Sequence, residues 1–376
     1  MNISTKNKLN IAFTLLIAAL STILWFIPTG HEKPELTELA LRPKAEVIEI
    51  DNSEIEYRGI VAVGSQTLQI KVLSGRFEGD TLEAENILLG MMRYDKIYKV
   101  GDKVLSVLRL SEDKQRILSA RAEDLYRLDT ELILFGLFAL FLIGFGGWTG
   151  FKALLSFIFT GLAIWKVLIP LFLDGVNPLP LAFAVVSVST TVIIVLISGF
   201  SRKGMVALTG AIAGVGITTI LAIIFGYYFR LPGTVQEYSD TLLYTGLQLN
   251  VTDIFLAGIF ISAAGAVMDV AMDIAASQNE IVDKKPEIGF RELMISGFRI
   301  ARPVIGTMTT TLLFAYSGSF TFMLMVFMAQ GTPLEYIMNK NFIAAEILYT
   351  LVGSFGLVLV APITAVIGGY FYTKRK

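Results

Sequence analysis

The sequence predicts a polytopic α-helical membrane protein of about eight transmembrane helices, with a small extracytoplasmic β-barrel-like domain between the first and second. Three observations predict it. The 376-residue chain is 54% hydrophobic with a mean hydropathy of +0.66, and several unbroken apolar runs reach the ~20 residues a helix needs to cross hydrocarbon. Charge is segregated: residues 31–130 hold 34 of the 63 charged side chains, so that segment suits water and most of the remaining chain suits lipid. Within the charged segment, short alternating runs end in turn residues, the pattern of half-buried strands.

Met1–Lys8 is polar and carries Lys6 and Lys8; the apolar run Leu9–Ile27 comes next. No small-x-small cleavage site succeeds it, so residues 1–30 read as a cytosolic tail and an uncleaved anchor rather than a signal peptide. Residues 31–128 form the extracytoplasmic domain, entered through a linker around Pro34. Strands are expected at Ala45–Ile50, Ile55–Val63, Thr67–Leu73, Thr81–Ala84, Lys103–Leu110 and Gln115–Ala120. Gly64-Ser65, Gly79-Asp80 and Gly101-Asp102 are among the breaks between them. That many short strands in so short a stretch suggests an OB- or SH3-like barrel. It is neither basic nor rich in aromatic residues, so nucleic acid is not an expected partner.

Residues 129–376 form a seven-helix domain, with spans expected near 131–148, 153–173, 178–200, 205–229, 254–276, 303–327 and 343–372. The positive-inside rule tests this count. With both termini cytosolic, the inner segments carry Lys6, Lys8, Lys152, Arg202, Lys203, Lys284, Lys285, Arg291, Arg299, Arg302 and Lys374-Arg375-Lys376, and the short outer loops carry only Arg230 and Lys340. The expected location is the cytoplasmic membrane. Within the cytosolic loop 278–302, Phe290, Leu293, Met294, Gly297, Phe298 and Ala301 recur at helical spacing between arginines, the pattern of an interfacial helix leading to Pro303. Pro362, inside the last span, predicts a kink.

Composition also limits the chemistry. Cysteine is absent and His31 is the lone histidine, which excludes disulfides, thiol chemistry and Cys/His metal sites. P-loop, HExxH and GxSxG motifs are missing, as is the GxGD signature of an intramembrane aspartyl protease. No catalytic residue, metal or cofactor is expected, and the chain does not read as an enzyme. Any ion site must use oxygen ligands.

Four ionisable residues fall inside the expected spans: Lys166, Asp269, Asp273 and Glu346. The two aspartates lie one turn apart on one helix face, with Ser262 and Gly265 further back along it. If Phe255 marks the outer edge, Asp269 lies about 21 Å into a core of about 30 Å, where an unpartnered acid is costly. They form either a proton or cation site inside the bundle or a headgroup-level pair that orients the helix. Arg299 and Arg302 are at matching depth and are their candidate inner partners. Lys166 and Glu346 share a depth on the outer side, which predicts an ion pair, structural or part of a gate. Thr307, Thr309, Thr310 and Thr311 open the seventh span and either line a polar path or pack helices together.

Several blocks carry a resemblance. YKVGDKV (Tyr98–Val104), the Gly147–Leu155 hairpin, Ser201-Arg202-Lys203 with Ala207–Gly214, Gly265–Ala275, GTMTTTLLFAY (Gly306–Tyr316), Glu346 and Gly353–Thr364 together resemble the YibE/F-like family of bacterial multi-spanning membrane proteins. Where that family commonly has GTMTNT, this chain has Thr310. The resemblance implies a bacterial cytoplasmic membrane protein with an extracytoplasmic β module, and implies no activity. Two functions are expected of such a chain. One is a permease or carrier of a small solute or ion, coupled through Asp269 and Asp273. The other is a non-transporting scaffold or assembly factor that recruits a protein partner through its β domain.

Overall fold

The computed structural model describes residues 3–31 and 39–374. The linker around Pro34 and the basic Arg375-Lys376 lie outside the described residues. The chain divides into two compact units, His31–Phe141 and Met1–Gly30 with Leu142–Lys376.

The first unit is one seven-stranded sheet: β1 (Ala40–Leu41), β2 (Lys44–Asp51), β3 (Ile55–Arg58), β4 (Val61–Val72), β5 (Thr81–Leu89), β6 (Lys103–Leu110) and β7 (Ile117–Leu125). Period-two alternation sends Leu68, Ile70 and Val72 of β4, and Val104 and Leu108 of β6, into one core with Ala45, Val47, Ala84 and Tyr98. Pairing runs β1-β6-β2-β4-β5-β7, with β3 on β4 and β7 returning to β6; β5 and β7 are parallel and the other pairs antiparallel. Two sequence expectations change here. The expected strand Ile55–Val63 is a hairpin, turned at Gly59 with φ of 66°. The expected break at Gly64-Ser65 is interior to β4, where Gly64 takes φ of 109° and a Cβ would sit 2.0 Å from the Glu54 carbonyl oxygen.

The second unit is helical: α1 (Ile3–Phe26), α2 (Leu128–Ala163, which begins in the first unit), a π-helical turn (Ile164–Leu168), α3 (Ile169–Leu173), α4 (Pro178–Ser198), α5 (Arg202–Phe229), a 3₁₀ turn (Gly233–Val235), α6 (Ser239–Leu243), α7 (Val251–Lys284), α8 (Phe290–Ala329), α9 (Leu334–Met338) and α10 (Asn341–Thr373). By length and composition, six helices among the described residues can cross a membrane, or up to seven if the bent α8 is one span. The expected eight is therefore not reached. One cause is Leu128–Leu173, expected as two spans: it is continuous except at Gly147, whose φ of 54° and ψ of −132° break the helix. The other is the expected span 303–327, which lies in α8 and counts only if the two halves of that bent helix are one span; no separate interfacial helix forms at 278–302. α7 runs on to Lys284, and α8 starts at Phe290 and continues through Pro303, then bends by 66° between Gly318 and Phe320. Leu293, Gly297 and Ala301 are buried on one side of α8 and Arg299 and Arg302 are exposed, so the apolar stripe packs on protein. α10 likewise passes through Pro362 as one helix.

Small residues set the packing of α5, α7 and α10. A Cβ on Gly214 would lie 2.7 Å from both Val267 and Val360, and one on Gly356 would lie 2.1 Å from the Thr218 hydroxyl. The helices approach as closely as hydrogen side chains allow.

Candidate functional site

α7 is the centre of the helical unit: 56% of its most apolar stretch is buried, against 50% for α10 and at most 39% for the other unbroken candidate spans. Asn250 starts it with a reciprocal cap. Its Oδ1 accepts from the Asp253 amide at 3.0 Å and its Nδ2 donates to the Asp253 carboxylate at 2.7 Å. Ile259, Phe260, Ala263, Val267, Val270, Ala271 and Ile274 are fully enclosed. One face departs from this: Ser262, Gly265, Asp269 and Asp273, at spacings of three, four and four, are all exposed.

That face is covered at one end. Tyr349 of α10 donates its hydroxyl to the Phe255 carbonyl at 3.2 Å and lies over Gly258, where a Cβ would meet that hydroxyl oxygen at 2.3 Å. Tyr316 of α8 donates to the Ser262 hydroxyl at 2.8 Å, which in turn donates to the Ile259 carbonyl at 2.9 Å. The two tyrosine rings meet edge-on with centroids 6.1 Å apart. Beyond Ser262 the face is open. Its far side is clamped: the buried Gln278 amide donates to the carbonyls of Leu293 (3.2 Å) and Ala365 (2.9 Å), and the Tyr372 hydroxyl donates to the Ala275 carbonyl at 2.9 Å.

The expected charge partnerships do not form. Among the described residues neither Asp269 nor Asp273 has an ion pair or a side-chain hydrogen bond, and Arg299 and Arg302 are exposed cations with no ion pair. Lys166 does not reach Glu346. It sits in the π-helical turn and donates to the Ile27 carbonyl at 2.7 Å, supplying a cation where the end of α1 leaves carbonyls without helical donors. Glu346 instead lines a cavity of about 240 Å³ whose other walls include Leu313, Phe320, Leu324, Ile343 and Ile347. The four threonines turn back on their own helix: Thr307 bonds the Val304 carbonyl at 3.0 Å, Thr309 that of Ile305 at 3.0 Å, Thr310 that of Gly306 at 3.3 Å and Thr311 that of Thr307 at 3.1 Å. Each donor is thus used locally, which leaves the oxygens as acceptors only. No group of three or more His, Cys, Asp or Glu side chains could hold a metal among the described residues.

Sequence reasoning missed two tyrosines and a loop. Tyr316 and Tyr349 sit in apolar runs and look like packing residues until the fold brings their hydroxyls onto α7. The segment between Phe229 and Val251 has no periodicity to read, yet it roofs a cavity of about 560 Å³ floored by Phe255 and Tyr349.

The sheet unit has its own buried polar group. Gln66 and Asn86 are register partners that point inward; Gln66 accepts from the Tyr98 amide at 3.0 Å and donates to the Tyr98 carbonyl at 2.9 Å, and Asn86 donates to the Lys96 carbonyl at 2.6 Å. This pair fastens the irregular segment after β5 to the sheet. Burial, with the carboxylates of Asp124 and Glu123 adding to it, pushes the Tyr98 phenol up to about 12. Burial alone would raise the Asp124 carboxyl, but hydrogen bonds from Lys96, Arg127 and the Leu125 amide outweigh it and hold it below the usual range.

Two units, one a small antiparallel-rich sheet and the other a set of helices packed around α7, six of them long and apolar enough to cross a membrane, suggest the class of membrane proteins with a separate β domain. The chain belongs to the YibE/F family: the YibE/F-like protein profile matches residues 134–374, and the profile of the YibE/F family N-terminal domain matches residues 38–125. Neither a curated protein nor a solved structure shows a significant match to the chain.

Proposed function

We propose that the protein is a multi-pass permease of the cytoplasmic membrane, with no enzymatic activity, that carries a small solute or ion along the Ser262–Asp273 face of α7. One observation carries this reading. The most enclosed helix of the unit leaves a single polar stripe uncovered, two carboxylates on it lack partners among the described residues, and a tyrosine pair covers the same stripe further on. An acid in a span is tolerated when it faces water or cargo, and small residues beside it leave room for passage. In this reading Tyr316 and Tyr349 close the outer end and the acids open to the cytosol. Both termini are cytosolic, as the lysine and arginine distribution favours. The break at Gly147 serves as a turn between two crossings, restoring eight; it is supported by Gly150, where a Cβ would lie 2.0 Å from the Leu142 carbonyl oxygen. The return of β7 to β6 supports an OB-like barrel for the outer domain.

The test is flux. Purified protein in liposomes with a trapped pH-sensitive dye, under imposed gradients of protons, sodium, potassium and magnesium, should show a flux that Asp269→Asn abolishes at equal incorporation. Flux unchanged by that substitution removes the reading.

A second reading, a scaffold that holds a protein partner outside the cell, has its own observation. Tyr57, Ile60, Leu89, Met91 and Met92 are exposed together around the β3–β4 turn and the end of β5. They lie at the opposite end of the strands from Val72 and Leu125, which share a strand end through Ala45 and Val104. Deleting residues 35–125 should then abolish function while Asp269→Asn stays active.

A further inference from the structure

The loop before α4 and the loop before α7 border a cavity of about 230 Å³, beside the ends where both helices begin. Four polar side chains line it among the described residues, Asn177, Gln248, Asn250 and Asp253, and Asp253 is the one charged group of that lining. Phe172 and Val176 add carbon surface. Both loops are held by their own backbone. Gly175, with φ of 79°, donates to the Phe172 carbonyl at 3.0 Å, and Val176 donates to the Leu171 carbonyl at 3.0 Å, which closes the end of α3. On the other side Leu249 donates to the Leu247 carbonyl at 3.0 Å and Val251 to the Leu249 carbonyl at 3.1 Å.

The helix caps fix which atoms remain for a ligand. Asn177 accepts from the Leu179 amide at 3.2 Å through Oδ1, so both N–H groups of its Nδ2 are unused among the described residues. Asn250 uses its Oδ1 and one N–H on Asp253 and keeps the other N–H; the second oxygen of the Asp253 carboxylate has no partner among the described residues. The Gln248 side chain is exposed and makes no hydrogen bond among the described residues, so it offers donors and an acceptor together. An ammonium or a metal ion would leave the carboxamide N–H groups unanswered. An anion would meet the Asp253 charge with no lysine or arginine in the lining to offset it. A hydroxyl both donates and accepts, so neighbouring hydroxyls on one carbon skeleton answer both kinds of group, and the C–H face of that skeleton suits Phe172 and Val176. The volume lies at the lower end of small-molecule sites, which limits the size of the ligand. We infer that this cavity binds a small neutral polyol, of monosaccharide size or less, whose adjacent hydroxyls are held by Asp253, Gln248 and the Asn177 amide. The site goes beyond the permease reading and does not depend on it.

Saturation-transfer difference NMR on the full chain in nanodiscs tests this, with D-glucose, myo-inositol and glycerol as probes and choline and L-alanine as cationic and zwitterionic controls. Saturable transfer to at least one of the polyols is expected, above the signal from empty nanodiscs, and neither control should displace it. Gln248→Ala removes an exposed side chain with no hydrogen bond to lose, so circular dichroism should show an unchanged helical signal. It should weaken polyol binding by about threefold or more, and Asp253→Asn by about tenfold or more, as expected for losing a neutral and a charged hydrogen-bond partner. Absence of saturable transfer to every polyol, undiminished affinity in a folded Gln248→Ala variant, or displacement by choline or L-alanine overturns the inference.

Discussion

The contact of α5 with α7 and α10 makes a quantitative prediction from two glycines on α5 that lie two residues apart. A methyl group on Gly214 would sit 2.7 Å from Val267 on α7 and 2.7 Å from Val360 on α10, and both neighbours are branched at the contact and fully buried. Overpacking of this kind costs roughly 1–3 kcal/mol, and the gain in helix propensity from glycine to alanine returns about 1 kcal/mol. Gly214→Ala should therefore destabilise by up to about 2 kcal/mol. Gly216 is the control: its nearest neighbour is the Phe183 ring at 3.8 Å, an ordinary contact. Gly216→Ala should be neutral or stabilise by up to about 1 kcal/mol. The two variants thus differ by about 2 kcal/mol although the chemical change is identical. Titration with sodium dodecyl sulfate in mixed micelles, following loss of helix by circular dichroism, measures that difference. Equal responses, or a larger loss at Gly216, would mean that α5, α7 and α10 do not meet as described.

The charged and titratable groups give three further outcomes. Lys166→Met removes a charge-assisted hydrogen bond to the end of α1 and should lower stability by about 1–2 kcal/mol; a double-mutant cycle with Glu346→Gln should show coupling below about 0.5 kcal/mol, because the two side chains do not meet. The Tyr98 phenol titrates near 12 in the fold against 10.0 for the free group, so its contribution is fully present below pH 10 and lost as pH rises through 12. On the order of 2–3 kcal/mol is at stake over that window, and Tyr98→Phe should flatten the alkaline rise in hydrogen exchange of residues 39–125. Asp124 has the opposite sign: its lowered pKa stabilises the fold above the ordinary aspartate range and the stability is lost as pH falls through the folded value, so Asp124→Asn should be less acid-sensitive in the same exchange measurement.

Part of this fold is legible in the sequence. Alternation places Leu68, Ile70, Val104 and Leu108 inward because a strand has only two faces, and one of them must be apolar. The stripe Ser262–Asp273 is legible for the same kind of reason, since helical spacing alone puts those residues on one face. Pairing is not. Lys166 matches Glu346 in depth, and the aspartates match Arg299 and Arg302, but depth says nothing about which way round the bundle each side chain points. Gly59 and Gly64 show the limit for turns: both are glycines with positive φ, one in a hairpin turn and one inside β4, and only the approach of the Glu54 carbonyl separates them. The roof over the 560 Å³ cavity is illegible because short, aperiodic segments acquire shape only from the helices beneath them.

The absence of cysteine from the natural chain permits the most direct test of the central claim. Single cysteines at Gly265, Asp269 and Asp273, and at Val267, Val270 and Ile274 as controls, would be exposed to a membrane-impermeant thiol reagent in inside-out vesicles. Labelling at 265, 269 and 273 with none at the three controls is the result expected if water reaches this face of α7 within the bilayer. Uniform protection of all six positions would mean that lipid or protein covers the aspartates, and the path along α7 would not exist.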